Sequence, residues 1–178
     1  MIYLTGDQHF FHSRIVEICS RPTTKEDHND WLIEMWNSVV SKKDDVVYIL
    51  GDFSLGKREE TEKILDKLRG VKHLILGNHD RNICNSTRFE SISQIKSFHH
   101  IVKDDDNENV KLSIIMCHYP IASWNKKIHG SAHLYGHTHG RFQNSGLSLD
   151  VGIDAQNYKI PTIDEILNQL TKRSLDLF

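Results

Sequence analysis

The sequence predicts an α/β fold, and three observations carry that expectation. Apolar runs of strand length recur along the chain: Ile2 to Leu4, Val46 to Leu50, Leu74 to Leu76, Leu112 to Cys117 and a shorter one, Ala132 to Tyr135. Stripes of apolar residues at helical spacing lie between several of them. Each run also ends in a polar block: Asp7-Gln8-His9, Gly51-Asp52, Gly77-Asn78-His79-Asp80, His118, and Gly136-His137-Thr138-His139. Polar blocks at successive strand ends indicate a sheet whose ends converge on one cleft.

The elements follow in order. Ile2 to Thr5 reads as a first strand, and Phe10 to Cys19 as a short helix or structured loop. From Asp27 onward, Trp31, Leu32, Met35, Trp36, Val39 and Val40 make a helical stripe that packs on a sheet. Lys42 to Asp45 is a solvated turn, and Val46 to Leu50 a buried strand. Ile64, Leu65 and Leu68 mark one face of a helix from about Glu59 to Arg69, with Gly70 as its stop. Val71 to Leu76 is the next strand. Residues 81–97 suit either a short helix or a loop. His99 to Lys103 and Val110 to Cys117 flank the acidic turn Asp104 to Asn109 and read as a hairpin. That turn lacks the spaced ligands and central Gly of an EF-hand. Leu147, Leu149 and Val151 alternate as a strand does. Thr162 and Glu165 form a capping box before Ile163, Ile166, Leu167 and Leu170, so a C-terminal helix is expected.

Bulk properties bound the function. At 178 residues, 38% hydrophobic and 26% charged, the chain suits a single domain, 1–178, with a substantial core. A net charge of −2 supplies no basic field for nucleic acid or membrane. Cys19, Cys84 and Cys117 have neither zinc-like nor redox spacing, and an odd number fits a reducing compartment. No leader and no apolar run of bilayer length is visible, so a cytoplasmic location is expected, without a membrane.

The polar blocks carry the chemistry. Asp, Asn and His are ligands of hard-to-borderline divalent cations. Asp7, His9, Asp52 and His139 are assigned to one metal, and Asp52, Asn78, His118 and His137 to the other. A carboxylate has two oxygens, so Asp52 can bridge. Two ions roughly 3.5–4 Å apart clamp the attacking and leaving oxygens of a hydrolysis, and the water bridging them ionises near neutral pH. His79 follows a ligand directly and is left free, so it can protonate the leaving oxygen. Asp80 is expected to accept from the other ring nitrogen and favour the charged form.

Taken in order, Asp-x-His, Gly-Asp, Gly-Asn-His-Asp, His and Gly-His-x-His resemble the calcineurin-like metallophosphoesterase superfamily. The pattern runs from residue 7 to residue 139, and the His118-Tyr119-Pro120 and His133-Leu134-Tyr135-Gly136-His137 segments resemble its small microbial and phage-type members. The resemblance implies a four-layer αββα sandwich of two mixed sheets flanked by helices, the same ligand partition, and His79 as acid or phosphate contact. It also implies manganese as the metal pair, with iron, zinc, nickel or cobalt as other occupants of this N/O ligand set. Gln8 departs from the smaller or acidic residue frequent at that position.

Substrate contacts are expected from nearby loops. Arg14 is the preferred phosphate contact because its loop starts inside the ligand cluster, with Arg21, Arg58 and Arg81 as alternatives. His12 is a further candidate. Trp124 and His129 belong to a loop that rims the cleft, where Trp124 either anchors the loop or stacks on a base, sugar or aromatic leaving group. Cys117 packs. Tyr119 and Tyr135 are left undecided by spacing. The predicted activity is metal-dependent hydrolysis of phosphodiester bonds in small or nucleotide-like substrates, because short loops leave an open cleft. Phosphomonoester hydrolysis is the alternative, and a non-catalytic metal-binding interaction scaffold a more remote one. Polymeric nucleic acid lacks the basic stripe with interleaved aromatics that would support it.

Overall fold

A computed structural model describes residues 1–103 and 108–175, with side chains to residue 171. Strands β1 (Ile2–Thr5), β2 (Val46–Ile49), β3 (Val71–Ile75) and β4 (Ser91–Ser93) form one sheet in that order. All three pairings are parallel. Strands β5 (Ile95–Lys103), β6 (Asn109–Cys117), β7 (Ala132–Tyr135) and β8 (Ser148–Asp150) form the second sheet, also in order. There β5 and β6 are antiparallel, and β6, β7 and β8 run parallel. An antiparallel bridge from Tyr3 to Thr162 adds to the β1 edge of the first sheet. With the helices that flank them, these sheets make the expected αββα sandwich.

Four helices accompany the sheets: α1 (Ile15–Ile18), α2 (His28–Val39), α3 (Arg58–Lys67) and α4 (Ile163–Leu175). Neighbouring side chains on a strand point to opposite faces, and this divides the core in two. Tyr3, Val47, Ile49 and Leu74 pack outward against Leu32 and Trp36 of α2 and Ile64 and Leu65 of α3. Leu4 and Ile75 pack inward against Ile114, Met116, Ala132 and Leu134 of the second sheet, together with Ile163, Ile166 and Leu170 of α4. Strands buried on both faces explain why the parallel runs read as continuously apolar. Trp36 is 1% exposed, and its Nε1 donates to the Arg69 carbonyl at 3.0 Å, tying α2 to the end of α3. The capping box at the start of α4 is present: Thr162 N–H donates to Glu165 at 2.7 Å, and Glu165 N–H to Thr162 Oγ1 at 3.3 Å. Among the described residues no helix is long and apolar enough to cross a membrane.

The structure resolves residues 81–97, which the sequence leaves open. A 3-10 turn covers Asp80–Ile83, β4 follows, and β5 begins at Ile95, earlier than the apolar pattern implies. In β4 a single apolar residue stands between two serines, too little alternation to read as a strand. The acidic tip of the hairpin at 104–107 lies outside the described residues.

Strand direction has one consequence for function. Since β1, β2 and β3 are parallel, their carboxyl ends share one edge, and β6, β7 and β8 do the same in the second sheet. Trp36→Ala is expected to lower unfolding stability by about 3–5 kcal/mol, read from the urea midpoint, because it opens a large cavity and orphans a carbonyl.

Candidate metal centre

The polar blocks leave their strands through unusual backbone. Asp7, His9, Asp52, His137 and His139 all have positive φ, between 50° and 70°. Each such non-glycine residue costs roughly 1–3 kcal/mol, and this conformation clusters where side chains are held for function. Gly51, at φ 84°, sits where a Cβ would collide with the His118 ring. A Cβ on Gly152 would collide with the Asp7 carboxylate. Both positions need glycine for close approach.

The ligand atoms of Asp7, His9 and His139 lie within 4.8 Å of one another, and so do those of Asp52, His118 and His137. Asp52 joins the two groups. Its Oδ2 is 3.8 Å from His9 Nε2 and 3.5 Å from His118 Nε2. Its Oδ1 instead accepts the His79 backbone N–H at 3.0 Å. One oxygen, rather than both, therefore faces the two groups. His118 Nδ1 lies 2.7 Å from the Leu50 carbonyl, which can only accept, so the proton sits on Nδ1 and the lone pair of Nε2 points at the cluster. Asn78 is exposed, and its Oδ1 accepts from Tyr119 Oη at 3.4 Å.

These residues fit a metal pair by their own chemistry. Asp7 and His118 are fully buried, and Asp52 and His9 nearly so. Both ring nitrogens of His9 and Nε2 of His118 are buried without a protein partner. Such orphans each cost about 1–3 kcal/mol unless something binds them. Burial lifts the Asp7 carboxyl to about 7, against the pull of His139 and His118. Burial pulls His9 down to about 2. For Asp52 burial acts upward, but the His118 and His9 imidazoles and the His79 N–H beside it win and hold it at about 2. Cations placed between the groups would satisfy the orphan nitrogens and the buried carboxylates together.

A supporting network absent from the sequence expectations lies behind the first group. Arg21 is 4% exposed and donates to the carbonyls of Asp7 and Gln8, both at 2.7 Å. Its Nε and Nη2 also donate to the two oxygens of Asp154, at 2.9 and 2.7 Å. Asp154 Oδ2 in turn lies 2.6 Å from His139 Nδ1, and Cys19 Sγ is 3.5 Å from the same nitrogen. Burial opposes the charge on His139, yet Asp154, Cys19 and Asp7 raise it to about 10. Nδ1 is thereby committed to Asp154, which leaves Nε2 for a cation, as orienting carboxylates commonly arrange. Asp150 braces the same loop through Thr138 Oγ1 at 2.5 Å and the N–H groups of Gly140 and Gly152. A signal for Asp154 was present: the Leu147, Leu149, Val151 run ends in Gly152-Ile153-Asp154, as the other runs end in polar blocks.

Other expectations change. Asp80 does not orient His79: it is buried and accepts from the N–H groups of Asp52, Phe53 and Gly77 at 2.8–2.9 Å. Its carboxylate is used to shape the Asp52 and Gly77 turns. Arg21 is structural rather than a phosphate contact, and Arg58 binds Glu62 and Asn85 on α3's surface. Trp124 is 8% exposed, with Nε1 donating to Ser131 O and Oγ, so it anchors its loop. His129 lines a hollow beside Val110 to Ser113, near the start of β6 and remote from His118 at its far end. Tyr135 is buried, its hydroxyl donating to Phe142 O. Gln8 turns away from the cluster to donate to Thr5 Oγ1.

Five residues do surround the cleft. His79 is exposed, with Nε2 3.9 Å from Asp52 Oδ2 and its ring edge-on to His9. The His12 ring lies 5.6 Å from that of His9. Tyr119 packs edge-on to both His118 and His137, each at 4.9 Å. Arg81 follows the His79 block in the 3-10 turn and is exposed, as is Arg14 just before α1; neither has an ion pair among the described residues.

Residues 1–141 match the family described as calcineurin-like phosphoesterase. The chain is 30% identical to the uncharacterized protein MJ1445 of Methanocaldococcus jannaschii, over 96% of this chain and 92% of that one. It is 29% identical to the gene 66 protein of Mycobacterium phage D29, over 93% of each. The crystal structure of the Aquifex aeolicus protein AQ665 superposes with a TM-score of 0.66 at 22% identity, covering 95% of this chain and 98% of that one. At that identity the likeness concerns the fold.

The Arg21 network makes stability depend on pH. His28 Nε2 lies 2.8 Å from Arg21 Nη1, and arginine only donates, so His28 is neutral when the network is intact. Burial and then the Arg21 charge lower His28 from 6.5 to about 4. Its contribution is present above the unfolded value and lost as pH falls through the folded one, amounting to at most about 3 kcal/mol. Urea unfolding of chelator-treated protein between about pH 7.5 and about pH 4.5 is expected to show this loss. His28→Gln, which keeps an acceptor and cannot titrate, is expected to make the profile shallower, and an unchanged slope would remove His28 as a contributor.

Proposed function

Because the chain belongs to the calcineurin-like phosphoesterases, we propose that it hydrolyses phosphodiester bonds of small, nucleotide-like substrates with a pair of divalent metal ions, manganese first. Metal-dependent phosphoester hydrolysis is the general chemistry of this fold and of its clustered His and Asp ligands. The observation that carries the dinuclear reading is Asp52 Oδ2, which faces one imidazole from each ligand group within 3.8 Å. The archaeal and phage relatives support a small microbial or phage-type member.

Asp7, His9, Asp52 and His139 would hold one ion, and Asp52, Asn78, His118 and His137 the other. When bound, the pair supplies Lewis acidity toward the phosphoryl group and a water acidic enough to ionise near neutral pH. The chain does the rest. His79 stands over the cluster, exposed enough to reach a substrate, and donates a proton to the departing ester oxygen. Arg14 and Arg81 offer guanidinium groups to phosphate oxygens, and His12 lines the same rim. Asp154 and Arg21 keep His139 and the Asp7 turn in place. The diester preference rests on open space beside Tyr119, where a second substituent on phosphorus fits.

Manganese-loaded protein is expected to turn over bis-p-nitrophenyl phosphate faster than p-nitrophenyl phosphate and to lose both activities on chelation. Faster turnover of the monoester would replace the diester reading with a phosphatase. His79→Ala is expected to lower kcat by about 10²–10⁴ on an alkyl leaving group and far less on p-nitrophenolate, with metal content unchanged. An equal loss on both esters would count against His79 as the acid.

A further inference from the structure

A recess of 420 Å³ adjoins the candidate metal centre at the carboxyl ends of β3 and β6. Leu76 and Tyr119 line it, together with Gln94 and Ile95, where the chain crosses from the first sheet to the second. Arg81 and Cys84, both exposed, stand at the rim. Gly77 and Asp80 of the third polar block line it too, but none of the proposed ligands does. It is continuous with them through Tyr119, whose ring packs on His118 and His137 and whose hydroxyl reaches Asn78. A substituent on a phosphate held at the second ligand group extends either into open solvent or across Tyr119 into the recess.

The walls select for a chemical type. Ile95 is 58% exposed and Tyr119 41%, so a sizeable apolar surface and one aromatic face stand uncovered. Gln94 adds an amide with donors and an acceptor, and Arg81 adds a cation; neither side chain has a hydrogen-bond partner among the described residues. An alkyl chain would cover Ile95 but make no use of the Gln94 amide. A sugar or peptide would serve those groups but leave the apolar wall wet. A flat heteroaromatic ring with a hydrogen-bonding edge serves both, and the volume lies within the range of small-molecule sites.

We propose that the recess between Tyr119 and Ile95 binds the nucleoside substituent of the phosphodiester cleaved at the neighbouring centre. This subsite rests on the phosphodiesterase reading above. Stacking on Tyr119 supplies the affinity, and the Gln94 amide reads the base edge.

The test compares thymidine 5′-(p-nitrophenyl phosphate), methyl p-nitrophenyl phosphate and octyl p-nitrophenyl phosphate with the manganese-loaded protein. The wild type is expected to show a KM about tenfold lower for the nucleoside ester than for the methyl ester. Cys84→Trp, which fills the recess, is expected to abolish that advantage while leaving kcat and both methyl-ester constants unchanged. Gln94→Ala, a surface change, is expected to remove part of it. Equal KM values for the nucleoside and methyl esters in the wild type, or a nucleoside advantage that survives both substitutions, overturns the subsite and leaves the phosphodiesterase reading intact. An octyl ester that binds as tightly as the nucleoside ester overturns the nucleoside assignment. If no ester is turned over, the reaction itself is wrong. The recess is then judged by calorimetry of thymidine 5′-monophosphate against methyl phosphate, where tighter nucleotide binding lost in Cys84→Trp supports it and equal binding refutes it.

Discussion

Asp7 is a carboxylate that the fold buries completely, and the architecture around the cleft is arranged about it. Burying a charge is costly unless partners surround it. Its oxygens accept the backbone N–H of His137, at 3.0 and 2.9 Å. Its own N–H donates to the Gly51 carbonyl at 2.9 Å, and its carbonyl accepts from Arg21. Glycine at 152 gives the carboxylate room. Through its carboxylate and its backbone, Asp7 thus ties together the loops after β1, β2 and β7, with the loop after β8 packed close. What the protein atoms leave unmet, a raised pKa at Asp7 and orphan nitrogens at His9 and His118, is what bound metal would satisfy.

Strand direction and backbone strain cooperate to put these loops in one place. Parallel pairing brings carboxyl ends to a common edge, and left-handed residues at Asp7, His9, Asp52, His137 and His139 then turn the chain sharply there. Such conformations persist only where surroundings over-determine them. Arg21 and Asp154 provide that constraint on the first ligand group, and Asp80, with three backbone amides, on the second. The charged residues nearest the cleft therefore divide in two. Some are consumed by the scaffold, and others, His79, Arg14 and Arg81, remain exposed.

That division explains which sequence expectations fail. Asp80, Arg21 and Trp124 all lie close in sequence to ligand blocks, and proximity alone suggested functional roles. In space each is buried and fully bonded. A carboxylate that accepts from three backbone amides has little left to orient a neighbour, and an arginine carrying two carbonyls and a carboxylate cannot reach for phosphate. Residue type and spacing do not report what a side chain is already bonded to.

By itself the sequence determined the ordered ligand blocks, their position at strand ends, the α2, α3 and α4 stripes, and the chemistry that Asp, Asn and His can share with a metal. Those features are local, repeated and tied to backbone periodicity, which is why they are legible. The split into two sheets came from the family resemblance and not from periodicity, and tertiary structure alone decided that β4 exists with one apolar residue, that a single oxygen of Asp52 faces both candidate ligand groups, and that a recess opens beside Tyr119. These depend on contacts between segments far apart in the chain: Asp52 meets His118 across 66 positions, and Arg21 meets Asp154 across 133. Periodicity carries no information about such pairs, because they are chosen by packing and by the need to satisfy buried polar groups.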